Sequence, residues 1–342
     1  MKTLLFLLLL VNSLFGFEYW QYVDKHYKFT TQKELQKKYK TVISPYFQSH
    51  KLHFFSTPEN IKIAYKIFKV KHAKAVIVIS SGRSEGMVKY QELIYDLNRN
   101  GYSVYILDHR GQGYSQRLLP DTKIGYVESF FHYVDDLKFF VENYVPKDKK
   151  RVLLGHSMGG TIASLYAEVY PHDFSALILY SPMHQPNLIL PVMSTLLCDL
   201  MEKKKRNLSN YIVGTASYDI TKQNFDENDL THSKIRYEIM QQAYRDEPQT
   251  KIGGPSVKWV QEACKWSKIA VENASLIQIP TLLLQGEKDQ VVNADAQEEF
   301  CKNAHSHCHG YTIKGAYHEL YIEKDGMRQK ALSAILDFIS KI

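Results

Sequence analysis

The sequence predicts an α/β fold: a mostly parallel central sheet with helices on both faces and one inserted, mainly helical segment. Three observations lead there. Largely apolar runs recur at residues 75–79, 103–108, 151–155, 176–180 and 281–285, and such runs suit strands covered on both faces. Helical patterns separate the first four of these runs, and strand–helix–strand repetition favours parallel pairing. The alternation stops over residues 182–275, where aromatic and polar helical or loop segments stand instead, and then resumes.

Taken in order, Met1-Lys2-Thr3 places one positive charge before the apolar run Leu4-Leu5-Phe6-Leu7-Leu8-Leu9-Leu10-Val11. A bilayer takes ~20 residues to cross, so this short run reads as an export signal. Cleavage is expected after Gly16, with an uncleaved tether as the alternative. Residues 19–46 form a polar, Lys- and Tyr-rich lead-in. Residues 51–56 and 61–68 alternate in character as paired strands do. After the 75–79 strand, a helix over 90–99 stops at Asn100-Gly101, a C-terminal cap signal. Next come the 103–108 strand, a helix over 131–144 ending before Pro146, the 151–155 strand, and a helix ending at Tyr170 before Pro171. The 176–180 strand leads into the interruption. Beyond it stand the 281–285 strand, a helix over 294–301, a short strand over 311–313 and an amphipathic helix over 327–339. The expected organisation is a signal peptide (1–16), a core in two parts (17–181 and 276–342) and a cap insertion (182–275). The mature chain is expected to be periplasmic or secreted, in solution or at a membrane surface.

Composition narrows the partners. Of 342 residues, 44% are hydrophobic and 23% charged, which excludes a disordered or low-complexity chain. A mean hydropathy of −0.32 excludes a polytopic membrane protein. The 43 Lys and Arg against 36 Asp and Glu leave +7, spread along the chain. That suits contact with anionic phospholipid and not nucleic-acid reading, which concentrates basic residues. Export would put Cys198, Cys264, Cys301 and Cys308 where disulfides persist. Three pairings are open to them. The neighbours Cys301 and Cys308 make the most natural pair, leaving Cys198 with Cys264. The Cys- and His-rich stretch 301–309 matches no common zinc spacing, so no metal site is expected.

The chemistry concentrates in Gly155-His156-Ser157-Met158-Gly159-Gly160, between an apolar strand and a helix. A serine in a tight strand-to-helix turn lifts its hydroxyl above the sheet edge, and glycines relieve the crowding that turn causes. Ser157 is therefore the candidate nucleophile. A serine hydroxyl needs a base near neutral pH, and here the acid and then the histidine should follow the serine in the chain. Asp289 stands just past the 281–285 strand, where such sheets place functional groups. It is preferred to Glu287, because Val291-Val292 can fold the chain back and aim Asp289 inward. Among 14 histidines, His318 alone lies in the loop after the last strand. The oxyanion hole needs two backbone N–H groups; Met158, after the nucleophile, and Arg83, after the 75–79 strand, are the candidates. Asp108 precedes the serine and is read as part of a structural loop that shapes the site floor.

These residues resemble the α/β-hydrolase fold, and within it the serine aminopeptidase S33-type group that contains monoglyceride lipases and bacterial lysophospholipases. The resemblance is carried by Gly82-Arg83 with Glu85 and Lys89-Tyr90, by Asp108-His109-Arg110-Gly111-Gln112-Gly113-Tyr114-Ser115, by the Ser157 motif and by Lys314-Gly315-Ala316-Tyr317-His318-Glu319. It continues through Leu230-Thr231-His232-Ser233, Arg236-Tyr237, Gly253-Gly254-Pro255, Trp259-Val260 and Glu323-Lys324-Asp325-Gly326-Met327-Arg328, so it covers residues 50–342. It implies ester hydrolysis of a monoacyl lipid by Ser157, Asp289 and His318, without a cofactor. Monoglyceride lipases usually carry His-Gly where this chain has Ser81-Gly82, a departure that agrees with the lysophospholipase branch. A lysophospholipase is thus expected. A monoacylglycerol lipase or general carboxylesterase, with or without acyl transfer, is the alternative.

One stretch bears on partners. The apolar run 188–197 leads into Met201-Glu202-Lys203-Lys204-Lys205-Arg206. It reads equally as a surface that docks on an anionic membrane and as a helix packed over the site with a solvated charged end.

Overall fold

The computed structural model describes residues 16–188 and 194–342. Residues 1–15 of the expected signal peptide and residues 189–193 of the apolar run lie outside the described residues. The strands, in chain order, are β1 (Glu18–Tyr19), β2 (His53–Ser56), β3 (Lys62–Phe68), β4 (Ala75–Ser80), β5 (Tyr102–Leu107), β6 (Arg151–His156), β7 (Ala176–Tyr180), β8 (Thr281–Gly286) and β9 (Cys308–Ile313). They form one sheet in the order β1-β9-β8-β7-β6-β4-β5-β3-β2. Only β2 with β3 and β3 with β5 pair antiparallel; every other pairing is parallel.

The apolar runs sort their side chains between two layers, as the strand period of two requires. In β4, Val76 and Val78 join one core with Leu137, Phe140 and Ile162. Ile77 and Ile79 join the other with Leu93, Leu97 and Leu336. The α-helices around the sheet are α1 (Gln32–Lys38), α2 (Ser44–Ser49), α3 (Gln91–Arg99), α4 (Phe131–Tyr144), α5 (Met158–Val169), α6 (Ser194–Glu202), α7 (Lys234–Asp246), α8 (Val257–Glu272), α9 (Ala294–Asn303) and α10 (Asp325–Lys341). None is long and apolar enough to cross a membrane among the described residues.

The polar lead-in is structured. Glu18 and Tyr19 pair parallel with Tyr311 and Thr312 of β9. Thr31 then opens α1 through a reciprocal capping box with Glu34, the arrangement that satisfies two otherwise orphaned amides. The long connection between β7 and β8 carries α6, α7 and α8 and no named strand among the described residues. Its α7 is held by Arg236, which is 1% exposed and pairs with Glu92 of α3 at 3.0 Å and Asp325 of α10 at 2.9 Å. Arg328 reaches Asp96 at 2.8 Å beside it. Buried cations persist when carboxylates partner them this closely. Disulfides Cys198–Cys264 and Cys301–Cys308 join α6 to α8 and α9 to β9. The second one occupies both thiols of the Cys- and His-rich stretch.

Candidate active site

Six connections leave the C-terminal ends of parallel strands and meet above the sheet: those after β4, β5, β6, β7, β8 and β9. Ser157 stands between β6 and α5 with φ +52° and ψ −121°. A left-handed φ at a residue other than glycine is strained and must be held by its surroundings. Here a Cβ on Gly155 would collide with the carbonyl of Gly159, and one on Gly159 with the carbonyl of Ser80. The glycines let β6, α5 and the end of β4 approach closely enough to hold the turn.

His318, in the connection after β9, presents Nε2 at 3.0 Å from Ser157 Oγ. Its Nδ1 lies 2.7 Å from Asp289 Oδ2. The other oxygen of Asp289 accepts from the N–H groups of Val291 (2.8 Å) and Val292 (3.2 Å), so the chain folds back as the sequence reading required. Glu287 points elsewhere and accepts from Tyr19 Oη at 2.5 Å and Gly315 N–H at 2.7 Å. Burial pulls the His318 pKa down, but the charge and hydrogen bond of Asp289 outweigh it and leave it above the ordinary value.

The expected oxyanion donors stand in the connections after β6 and β4. Met158 is the first residue of α5, where a helical amide has no intrahelical acceptor. Neither its N–H nor that of Arg83 donates to a protein group among the described residues. The Arg83 connection is tied down on both sides. Gln112 donates to the carbonyls of Gly82 (2.7 Å) and Glu85 (2.9 Å) and accepts from Ser84 N–H (3.2 Å). Asp108 accepts from Met87 N–H (2.6 Å) and Tyr114 N–H (2.7 Å). Burial pushes its carboxyl up to about 7 despite those bonds. Asp108 therefore ties the connections after β4 and β5 together, a structural part.

Behind His318 lies a charge cluster that motif reasoning left without a role. Lys89 bridges Glu85 at 2.5 Å and Glu319 at 2.6 Å, and all three side chains are buried. Glu85 also accepts from Tyr90 Oη and from Gly82 N–H. His156 Nε2 lies 3.1 Å from Glu319 Oε2. Burial disfavours the Glu319 charge, yet Lys89 and His156 hold it well below the usual carboxylate range. The only local signal was the Glu85–Lys89 spacing of four. His156, His318 and Glu319 also form a potential ligand group for a cation. Two of the three already serve Lys89 or Ser157, so the donor set does not fit a resident metal.

A cavity of about 500 Å³ opens on Ser157 and His318. Met183, Leu188, Val260 and Val291 give it an apolar side, while Arg83 and Lys251 reach it from a polar side. Lys251 escaped the sequence reading altogether. Its ammonium lies 4.4 Å over the Tyr244 ring and 5.0 Å over that of Tyr218, contacts that depend on residues brought together by the fold.

Residues 71–325 match the family described as Serine aminopeptidase, S33. The chain is 38% identical over 296 residues to Lysophospholipase L2 of Escherichia coli strain K12, covering 84% of this chain and 86% of that protein. It is 30% identical over 275 residues to Monoglyceride lipase of Rattus norvegicus, covering 78% and 82% respectively. A soluble variant of monoglyceride lipase from Saccharomyces cerevisiae superposes with a TM-score of 0.68 at 18% identity, covering 85% of this chain and 94% of that one. Such solved structures share the α/β-hydrolase fold. With its family match and 38% identity over most of its length, this chain belongs to the serine aminopeptidase S33 family, as an ester hydrolase built on that fold.

Proposed function

We propose that the chain hydrolyses the acyl ester of monoacyl lipids, lysophospholipids foremost, with Ser157, His318 and Asp289 as its triad. The observation that carries this reading is the unbroken line from Asp289 through His318 to Ser157 Oγ, with steps of 2.7 and 3.0 Å, beside a partly apolar cavity. The lysophospholipase relatives from Escherichia coli and Haemophilus influenzae supply the substrate class. Asp289 holds the imidazole so that Nε2 accepts the Ser157 proton. The alkoxide attacks the acyl carbonyl, and the Met158 and Arg83 amides receive the oxyanion. His318 then protonates the departing glycerophospho-alcohol. Water, activated by the same imidazole, attacks the acyl-enzyme and frees the fatty acid. Ser157→Ala is expected to keep lipid binding and lose about 10⁴-fold or more in turnover of p-nitrophenyl esters. Fatty-acid release from lysophospholipids and monoacylglycerols of one acyl length tests the substrate class. Retained turnover in Ser157→Ala, or no release from a lysophospholipid by the unsubstituted protein, refutes the reading.

Two further parts belong to it. Residues 182–275 act as a cap, since Tyr218, Met240, Lys251 and Trp259 from that segment line the cavity. The cap also contacts anionic membrane peripherally. Supporting this, α6 exposes Leu196 and Leu200 one turn apart, ahead of the exposed Lys203-Lys204-Lys205-Arg206. The protein acts outside the cytoplasm after removal of residues 1–16, a reading supported by the apolar N-terminal run and by two disulfides. N-terminal sequencing of the exported protein should begin at Phe17; a cytoplasmic protein beginning at Met1 refutes export.

A further inference from the structure

Four cations reach the cavity wall: Arg83, Lys89, Lys222 and Lys251. Lys89 is neutralised twice, by Glu85 and Glu319, and Lys222 lies 3.7 Å from Asp219. Arg83 and Lys251 have no carboxylate within 4 Å among the described residues, although Glu227 and Asp229 line the same cavity. The side chain of each of these two cations bonds to the backbone of the segment that carries the other. Arg83 Nη1 donates to the Gly253 carbonyl at 3.0 Å. Lys251 Nζ donates in return to the Ser84 carbonyl at 3.1 Å. The Arg83 guanidinium lies 5.4 Å from the Trp259 ring, and its remaining N–H groups have no protein acceptor among the described residues.

We propose that Arg83 and Lys251 form a phosphate subsite beside Ser157 that recognises the phosphoester of a lysophospholipid headgroup. The proposal rests on the reading of the chain as a monoacyl-lipid hydrolase. A guanidinium fork beside an ammonium matches phosphate oxygens in both geometry and charge. The placement also suits the substrate. With its backbone N–H as the proposed oxyanion donor, Arg83 holds its guanidinium a side chain away, as a glycerol bridge separates an acyl ester from a phosphate. Burial, with Lys89 next, pulls the Lys251 ammonium down to about 7, and burial lowers Arg83 to about 10. An anion between them relieves both.

The test compares kcat/KM for lysophosphatidylglycerol and for the 1-monoacylglycerol of the same chain length. In Lys251→Met the ratio of the two should fall about tenfold or more, through KM, as the loss of a charged hydrogen bond implies; Lys251→Arg should restore it. A merely structural lysine lowers both substrates alike, and an unchanged ratio overturns the subsite. If the unsubstituted protein cleaves the monoacylglycerol and not the lysophospholipid, the substrate reading fails separately. Competition against monoacylglycerol hydrolysis then still reads the subsite. Glycerol 3-phosphate and inorganic phosphate should compete where glycerol does not; decanoate competing as well as glycerol 3-phosphate overturns phosphate selectivity. Should Lys251→Met not fold, the thermal shift of the unsubstituted protein by glycerol 3-phosphate over glycerol decides, and no shift overturns the proposal.

Discussion

His318 serves two opposing demands that its pKa makes visible. As the base proposed for Ser157 it must be neutral, and Asp289 keeps its proton affinity above the ordinary value in spite of burial. The acid limb of kcat/KM should therefore lie above about 6.5, with activity rising as pH increases through it. Stability runs the other way. A group whose pKa is raised on folding stabilises most below its unfolded value, and that contribution is lost as pH rises through the folded value. Asp289→Asn leaves burial as the dominant influence. Its acid limb should move to lower pH, while turnover falls about 10⁴-fold because the imidazole loses its tautomer and orientation. An acid limb that stays where it was would detach Asp289 from His318. Lys89 is a residue of a different kind: it touches no reacting atom but neutralises Glu85 and Glu319 in the interior. Lys89→Met strands two buried carboxylates and should cost about 3–5 kcal/mol in urea unfolding. The Glu319 part of that contribution is present above the unfolded carboxylate pKa and fades as pH falls, since its folded pKa is depressed.

Among the α-helices between β7 and β8, α6 is the least buried. It spans nine residues, of which only Ser194 is buried, and Cys198–Cys264 ties it to the long, well-buried α8. Reduction, or Cys198→Ser with Cys264→Ser, should release α6 locally while the sheet stays folded. Limited trypsin digestion read by mass spectrometry is expected to cut first at Lys203–Arg206, and equal resistance with and without the bond would remove this role. The same contrast explains what sequence could reveal. The strands β4 to β8 were legible because each is a compact apolar run that any fully covered strand needs. The hydrogen-bonded line of Ser157, His318 and Asp289 was legible because each of them sits just past a strand, close to a glycine. β1 was not, because two exposed residues become a strand only when the edge of β9, almost 300 positions away, lies beside them. α1 did carry a local mark, the Thr31–Glu34 capping box, but no apolar stripe to go with it. Lys251 had no mark at all, since Ser84, Tyr218 and Tyr244 surround it through contacts distant in sequence.

At the scale of the whole molecule, a net charge of +7 is too diffuse to steer anything alone, so surface binding must come from where charge and apolar area coincide. They coincide at the end of α6, where Leu196 and Leu200 are 54% and 51% exposed and four consecutive basic residues follow. A basic residue near an anionic bilayer contributes about 1 kcal/mol, and exposed leucines add a salt-insensitive part by burial among acyl chains. Two signals of different origin predict two separable responses. Sedimentation with vesicles containing phosphatidylglycerol should exceed that with phosphatidylcholine alone, and the excess should shrink as salt screens charges beyond a Debye length of about 10 Å at 0.1 M. Changing Lys203, Lys204, Lys205 and Arg206 to Gln should abolish the excess. Leu196→Asp with Leu200→Asp should lower binding that persists at high salt. Because membrane contact brings the cavity to lipid held in the bilayer, it is expected to raise hydrolysis of vesicle-borne substrate more than that of a soluble p-nitrophenyl ester. If the four-Gln variant sediments like the unsubstituted protein on anionic vesicles, α6 is only a helix packed on α8, with a solvated charged end.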